Sequence, residues 1–584
     1  MYLAFLLQVL LSALLVSAVK PTRTLSKRQT TPPSKFVTSQ NGQFMFNGST
    51  LDFVGTNAYW LPVLNSDEDI DFTLGNLSAA GIKIVRTWAF NDVGTIPVNG
   101  TWFQLIANGT TVINEGPNGL QKLDTVVKLA EKHGIFVLLS LTNNWNPLPL
   151  DNQAAGISAR DTTPGTNKVL PRNALSNDYG GMDAYVREFS DGKNHDAFYV
   201  NPTILAKFTN YTTQIVSRYV ESPAIFAWEI ANDPRYIIRL SLICIWLKSP
   251  HQMQLLLPAT VLCNTHTITK FHSTIAQHIN QVDPNHLVSS GNQGFFCVDC
   301  PKLFPRVAPP PPQTSSTPSN NRRRSPPKPL TKRGLLQERK AIRNKVRNLQ
   351  KRTSTAGGIR IRGRWMSTET KRQSDDQGIG PSFDGSYGID SEDILNIPQI
   401  GFGTFQLFPD QNSYGIDDPT LPAFNNTVNQ GLDWIRRHAD VGKLFGKPVT
   451  LNGFGLVTQA NAPSFVPFNQ TQAPFGPDSP PSPPAQQPFG ITDAQRDDAY
   501  AQWLHAGLQN GLQGMLQYQW SQGNLTTGVG TAISPTVSGT GVSPTVSGTG
   551  LSPNDGYSIQ GAGLDQAVGT IQQAAQALGP DQQR

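Results

Sequence analysis

Four groups of side chains in this sequence have the types and spacing to do chemistry, and each closes a short apolar or β-branched run. LDFVGTN (51–57) ends in Asn57, with Tyr59 and Trp60 close behind, and IKIVRTW (82–88) presents Arg86 and Trp88. IFVLLSL (135–141) leads to Asn143, Asn144 and Trp145, and IFAWEI (225–230) contributes Trp228 and Glu229 and runs into Asn232 and Asp233. Rings and amides gathered at one mouth suit a sugar, whose C–H faces stack on aromatic planes while its hydroxyls take hydrogen bonds. The nine histidines stand in no HExxH or triad-like context, so metal-assisted and serine-type hydrolysis have no support. Cys297-x-x-Cys300 has no second ligand pair for zinc. The reading is therefore no metal and no cofactor.

Those groups need elements to hold them. Beyond the four runs, HLVSS (286–290), IGFGTFQ (400–406), PVTL (448–451) and GMLQY (514–518) bring the candidate strands to eight. Helical patterns lie between most of them, among them GLQKLDTVVKLAEKHG, with Leu120, Leu123, Val127 and Ala130 on one face, and NNTVNQGLDWIRRHADVGKLFG. Eight strands each followed by a helix describe an α/β fold, a closed (β/α)₈ TIM barrel, whose reactive side chains sit at the carboxyl ends of its strands. An open doubly wound sheet is the alternative. Trp434 and Trp503 belong to the core.

The chain has 584 residues, 38% hydrophobic and 15% charged, which excludes a collagen, a coiled coil and a wholly disordered chain. Its formal charge of +6 hides a division. Residues 302–372 hold 20 Lys and Arg against two Asp and Glu, so the remainder carries −12. Residues 3–19 form an apolar run ending in Val16-Ser17-Ala18, the pattern of a secretion signal cleaved after Ala18. Eight Asn-x-Ser/Thr sequons (Asn47, Asn76, Asn99, Asn108, Asn210, Asn425, Asn469, Asn524) fit an exported glycoprotein, and four cysteines permit three pairings there.

The organisation that follows is a signal peptide (1–18), a propeptide-like segment (19–35), a first barrel part (36–305), a basic proline-rich insertion between strands five and six (306–379), a second barrel part (380–525) and a low-complexity repeat with a C-terminal tail (526–584). The insertion is expected to be disordered apart from a basic helix at 334–350. Within the first barrel part, residues 236–257 are abruptly apolar and would interrupt a barrel, so they read as a buried insertion or a translated intron rather than a membrane span.

WEIANDP, GIKIVRTWAF and the order of the flanking runs resemble fungal endo-beta-1,4-mannanases of glycoside hydrolase family 5. The resemblance covers roughly 36–305 and 380–525. It implies a retaining mechanism with two glutamates about 5 to 5.5 Å apart, one the acid/base and one the nucleophile. At the acid/base position this chain has Asp233, shorter by one methylene, or about 1.5 Å, and a displacement of about 1 Å can cost on the order of a hundredfold. At the nucleophile position stands Gly453, preceded by Asn452, and neither can form a glycosyl ester. The family's strand-six His-x-Tyr is Gln406-x-Phe408 here, and its strand-eight tryptophan aligns with Tyr518, followed by Trp520.

The expected substrate-binding set is thus Asn57, Arg86, Trp88, Asn144, Trp145, Asn232, Gln406, Tyr518 and Trp520, while Glu229 is expected to point into the barrel wall and support Arg86. The resemblance implies a secreted, monomeric protein that recognises β-mannan or a related β-glycan with hydrolysis weak or lost. An active mannanase using Asp233 and a displaced carboxylate such as Glu229 is the first rival. A wall-associated protein whose basic insertion binds anionic wall polymers is the second. Nucleic-acid and membrane partners are not expected.

Overall fold

A computed structural model describes residues 34–146, 175–190, 195–235, 265–306, 327–353, 359–361, 364–366, 379–418, 420–465, 490–528, 531–533, 550–559 and 566–578. Eight parallel strands form one sheet: β1 (Phe53–Asn57), β2 (Ile84–Trp88), β3 (Phe136–Ser140), β4 (Ile225–Glu229), β5 (Leu287–Ser289), β6 (Gly403–Leu407), β7 (Val449–Phe454) and β8 (Gly514–Gln517). They are hydrogen-bonded in the order β5-β4-β3-β2-β1-β8-β7-β6. The two ends of that row meet: the Gly401 N–H donates to the Val288 carbonyl at 2.8 Å, and the Ser290 and Thr404 hydroxyls lie 3.1 Å apart. That closure makes the sheet a barrel and removes the open-sheet alternative. All eight strands fall on the runs read from the sequence. β7 continues past 451 to Phe454, carrying Asn452 and Gly453 into the barrel wall.

Helices follow the strands. α1 (Asp67–Ala79) starts where the Ser66 side chain accepts the Asp69 N–H, and α2 (Leu120–Lys132) buries Leu120, Leu123, Val127 and Ala130 as its periodicity predicts. α3 (Pro202–Arg218) and α4 (Thr265–Val282) follow β3 and β4. At the amino end of the barrel Phe44, on an antiparallel hairpin strand (Gln43–Phe46), packs its ring 5.9 Å from Phe53 and 5.1 Å from both Phe226 and Phe402. These rings plug the floor of the barrel.

Within the basic insertion the chain forms α5 (Lys332–Thr353), and the strands Ile359–Ile361 and Arg364–Met366 pair antiparallel, a hairpin that the expectation of disorder did not contain. The first of these strands, Ile-Arg-Ile, alternates β-branched and charged residues, and Trp365 is a strand-favouring residue in the second. α5 lies on α7 (Ala423–Phe445), reached after the short α6 (Ser391–Leu395). Leu335 is buried, Glu338 pairs with Arg437 at 2.6 Å, and Lys345 with Asp418 at 2.7 Å. A cavity of about 450 Å³ remains along this seam.

The barrel also runs beyond residue 525. Leu525 and Gly550 exchange backbone hydrogen bonds of 3.0 and 2.7 Å, and Tyr557 and Ile559 are buried. After α8 (Asp493–Asn510) comes α9 (Gln566–Ala577), whose Ala567, Val568 and Ile571 are buried, and which supplies the helix after β8. What reads as a tail is the last βα unit. Cys297 and Cys300 form a disulfide. The leader, residues 236–257 with Cys244, and Cys263 lie outside the described residues. Among the described residues no helix is long and apolar enough to cross a membrane.

Candidate active site

The carboxyl ends of β1, β2, β4 and β7 meet in a buried polar layer. Arg86 on β2 donates through Nε to both Glu229 oxygens at 3.0 and 3.1 Å, and through Nη1 to Asn57 Oδ1 at 2.9 Å. Its Nη2 pairs with Glu229 and donates to Asn232 Oδ1 at 2.8 Å. Glu229 also accepts the Ser140 hydroxyl at 2.5 Å and Asn452 Nδ2 at 2.8 Å. The carboxylate is fully buried, with hydrogen bonds to both oxygens. It is a support for Arg86, in keeping with its alternation along β4, and it is not aimed at a ligand.

Above this layer Arg86, Trp145, Asn177, Asn232, Asp233, Gln293, Gln406, Phe408, Gly453 and Tyr518 line one small cavity. Its volume is about 10 Å³, on the order of one water. Seven of the eleven expected site residues line it. Asn57, Asn144, Trp88 and Trp520 do not. Asn57 Nδ2 donates to the Asn452 and Gln517 carbonyls at 3.0 and 3.1 Å. Asn144 Oδ1 sits 2.9 Å from His195 Nε2 and accepts the Tyr199 hydroxyl at 3.0 Å. Trp88 and Trp520 are each 1% exposed, and Trp88 stacks on Tyr59 with ring centroids 6.0 Å apart. Place at strand ends pointed to Asn57, Trp88 and Asn144, and the resemblance pointed to Trp520; all four are buried away from the cavity. Asn177 and Gln293 were missed, since both lie on loops with no local pattern to mark them.

Asp233 is the one carboxylate among the described residues that line the cavity. It takes a left-handed backbone, φ 51°, and its N–H donates to the Gly291 carbonyl at 3.0 Å. Gly291 has no room for a side chain: a Cβ there would lie 1.9 Å from the Ala231 carbonyl oxygen. The Asp233 carboxylate accepts Arg235 Nε at 2.8 and 3.0 Å and Nη2 at 2.6 Å, with Trp145 Nε1 at 3.4 Å. Arg235 is itself packed over Phe295 and Tyr387, 5.4 and 5.3 Å from their ring centres. Burial pushes the Asp233 carboxyl above its ordinary range, and the Arg235 charge and hydrogen bonds work against that. A carboxylate forked onto a guanidinium is held as an acceptor, a poor posture for a proton donor.

Gly453 faces the cavity from β7, with no atom that could attack a carbon. A Cβ at this position would lie 3.2 Å from Phe408 Cζ and 3.9 Å from Gln406 Cγ. Gln406 Nε2 donates to Asn232 Oδ1 at 3.2 Å. Tyr518 stacks on Tyr59 at 6.4 Å and meets Phe408 edge-on at 5.4 Å. The arrangement offers rings, amides and a guanidinium to a neutral polar ligand, and among the described lining residues no free pair of carboxylates.

Comparison with known proteins agrees with the fold. Residues 34–310 match the glycoside hydrolase family 5 beta-mannosidase-like family. The chain is similar to mannan endo-1,4-beta-mannosidase A of Aspergillus aculeatus, 34% identical over 443 residues, covering 75% of this chain and 78% of that protein. It is similar also to mannan endo-1,4-beta-mannosidase F of Aspergillus fumigatus, 37% identical over 278 residues, covering 47% of this chain. In that alignment it spans about half of the relative's length. The endo-1,4-beta-mannanase of Rhizomucor miehei shares the fold, with a TM-score of 0.53 at 22% identity over 93% of this chain and 99% of that one. The chain belongs to the mannosidase-like branch of glycoside hydrolase family 5.

Proposed function

We propose that this protein is a secreted barrel that recognises β-mannan or a related β-glycan, with the retaining double displacement weak or lost. The observation that carries the reading is Gly453 at the end of β7, facing the cavity where its relatives' mechanism calls for a carboxylate. Asn452 beside it cannot substitute, because its amide is turned away to Glu229. Glu229 cannot be the displaced carboxylate of an active mannanase, since it is fully buried and bound to Arg86, Ser140 and Asn452. Asp233 alone lacks a nucleophile opposite it. Export rests on the leader and on the six sequon asparagines that are exposed: Asn47, Asn99, Asn108, Asn210, Asn425 and Asn524.

The test is incubation of the purified protein with galactomannan, followed by measurement of new reducing ends and of retention on the same polymer. Retention without new ends is expected, and Asp233→Asn is expected to leave both unchanged. Turnover that Asp233→Asn abolishes would sink the proposal.

A second reading has its own support. Arg333, Lys340 and Arg343 on α5 are exposed, and an exposed basic helix attracts polyanions in a salt-dependent way. Deleting 306–378 should remove salt-sensitive retention on polygalacturonate and leave mannan retention as it was. Equal polygalacturonate binding by both forms would exclude α5 as the contact.

A further inference from the structure

Tyr518, on the cavity wall, is tied to a residue beyond the repeat. Its hydroxyl donates to Asp555 Oδ2 at 2.8 Å, and the Ser176 hydroxyl donates to the same oxygen at 2.9 Å. The Asp555 N–H donates to Gln519 Oε1 at 3.3 Å, while Gln519 Nε2 donates to the Tyr59 hydroxyl at 3.1 Å and the Pro553 carbonyl at 2.8 Å. The Ser176 carbonyl accepts Trp88 Nε1 at 3.1 Å. One carboxylate, 1% exposed, thereby joins the loop after β3, the end of β8 and the segment 550–559. Its other oxygen has no hydrogen-bond partner among the described residues.

We propose that Asp555 is a positioning residue that anchors the Tyr518 side chain at the cavity wall for a bound sugar, so that segment 550–559 completes the cleft. This deepens the proposed glycan recognition and rests on it. Tyr518 has Tyr59 stacked along one side and Phe408 edge-on. Tyr557 meets it edge-on as well, at 5.8 Å, so the rings pack its faces and edges and the Asp555 carboxylate holds its oxygen. A hydrogen bond to an ionised acceptor holds that oxygen more strongly than one to a neutral acceptor.

The titratable and charged groups facing the pair are Tyr59, Tyr557 and Arg86, and Asp555 forms no ion pair among the described residues. Burial pushes the Asp555 carboxyl up to about 6. Above that pH it is ionised and grips the Tyr518 hydroxyl, and below it the grip weakens, so sugar affinity should fall on acidification. Stability moves the other way. With an unfolded value near 3.9, the native state holds an extra proton between about 4 and 6, and its contribution to stability is lost as pH rises through that window. A merely structural carboxylate would shift stability and leave affinity flat.

The experiment uses the full chain labelled with 3-fluorotyrosine, the Tyr518 resonance being assigned by Tyr518→Phe, with mannohexaose affinity measured in parallel. The Tyr518 ¹⁹F shift should titrate with a midpoint near 6 and stop doing so in Asp555→Asn, whose affinity at pH 7 should be about tenfold weaker and independent of pH. Ser176→Ala keeps the carboxylate but removes a donor to its charged form, so the midpoint should rise. A Tyr518 resonance unmoved by both pH and Ser176→Ala overturns the positioning role whatever sugar binds. A titrating resonance in a chain that binds no mannohexaose supports the tie to Asp555 and counts against the mannan reading instead.

Discussion

Replacing Glu229 by alanine should cost the fold about 3 to 5 kcal/mol, the usual loss when one partner of a buried ion pair is removed. The reason is geometric. Arg86 and Glu229 are 1% and 0% exposed, and among the described residues the guanidinium would keep only the amide oxygens of Asn57 and Asn232 as acceptors. Asn452 and Ser140 would lose an acceptor as well. Urea unfolding followed by tryptophan fluorescence measures the loss, and Glu229→Gln, which keeps the shape and part of the hydrogen bonding, should fall between the two. A loss below about 1 kcal/mol, in the range of an exposed pair, would mean that the layer does not hold the barrel mouth.

The second large effect is a gain. Asp233→Glu with Gly453→Glu should raise galactomannan turnover at least on the order of a hundredfold over wild type, since a positioned acid/base alone contributes about 10² to 10⁴. Position 453 can accept a side chain: its φ is not in the left-handed region, and the nearest atom to a new Cβ is the rim of the Phe408 ring at 3.2 Å, which must give by a few tenths of an ångström. At 233 the left-handed backbone is already in place, and a longer side chain there must leave Arg235 to reach the cavity. A 2-deoxy-2-fluoromannosyl donor should label the double variant, detectable as a mass increase on the intact chain, and leave wild type unlabelled. Silence from a folded double variant would show that more than two carboxylates separate this cleft from a working one.

The barrel was legible because each strand is a short apolar run and each major helix has its apolar residues at helical spacing, and these local patterns survive a long insertion. β7 was read three residues short: Gly453 pairs with Gln406 of β6, but Asn452 falls in a bulge that shifts the register on both sides, and no apolar run marks such a continuation. α9 was passed over because QAVGTIQQAAQA carries only a few apolar residues beside a repeat, although those residues are the ones buried. At the site, strand ends located Arg86, Asn232 and Asp233, but spacing along a chain cannot say which aromatic faces the cavity. Trp88 belongs to the stack behind Tyr59, and Tyr518 is the ring at the front. Asp555 had no sequence signal at all, because its importance comes from three segments that meet only in the folded chain.

The closing βα unit has a practical consequence for anyone preparing this protein. Trimming the chain at the start of its repetitive stretch, a natural choice for crystallisation, would strip α9 from α8 and the outside of β1. Apolar wall residues there would face solvent, and patches of that kind drive association. A shortened form that precipitates would therefore say nothing against the barrel itself. The sticky surface would have been created by the scissors.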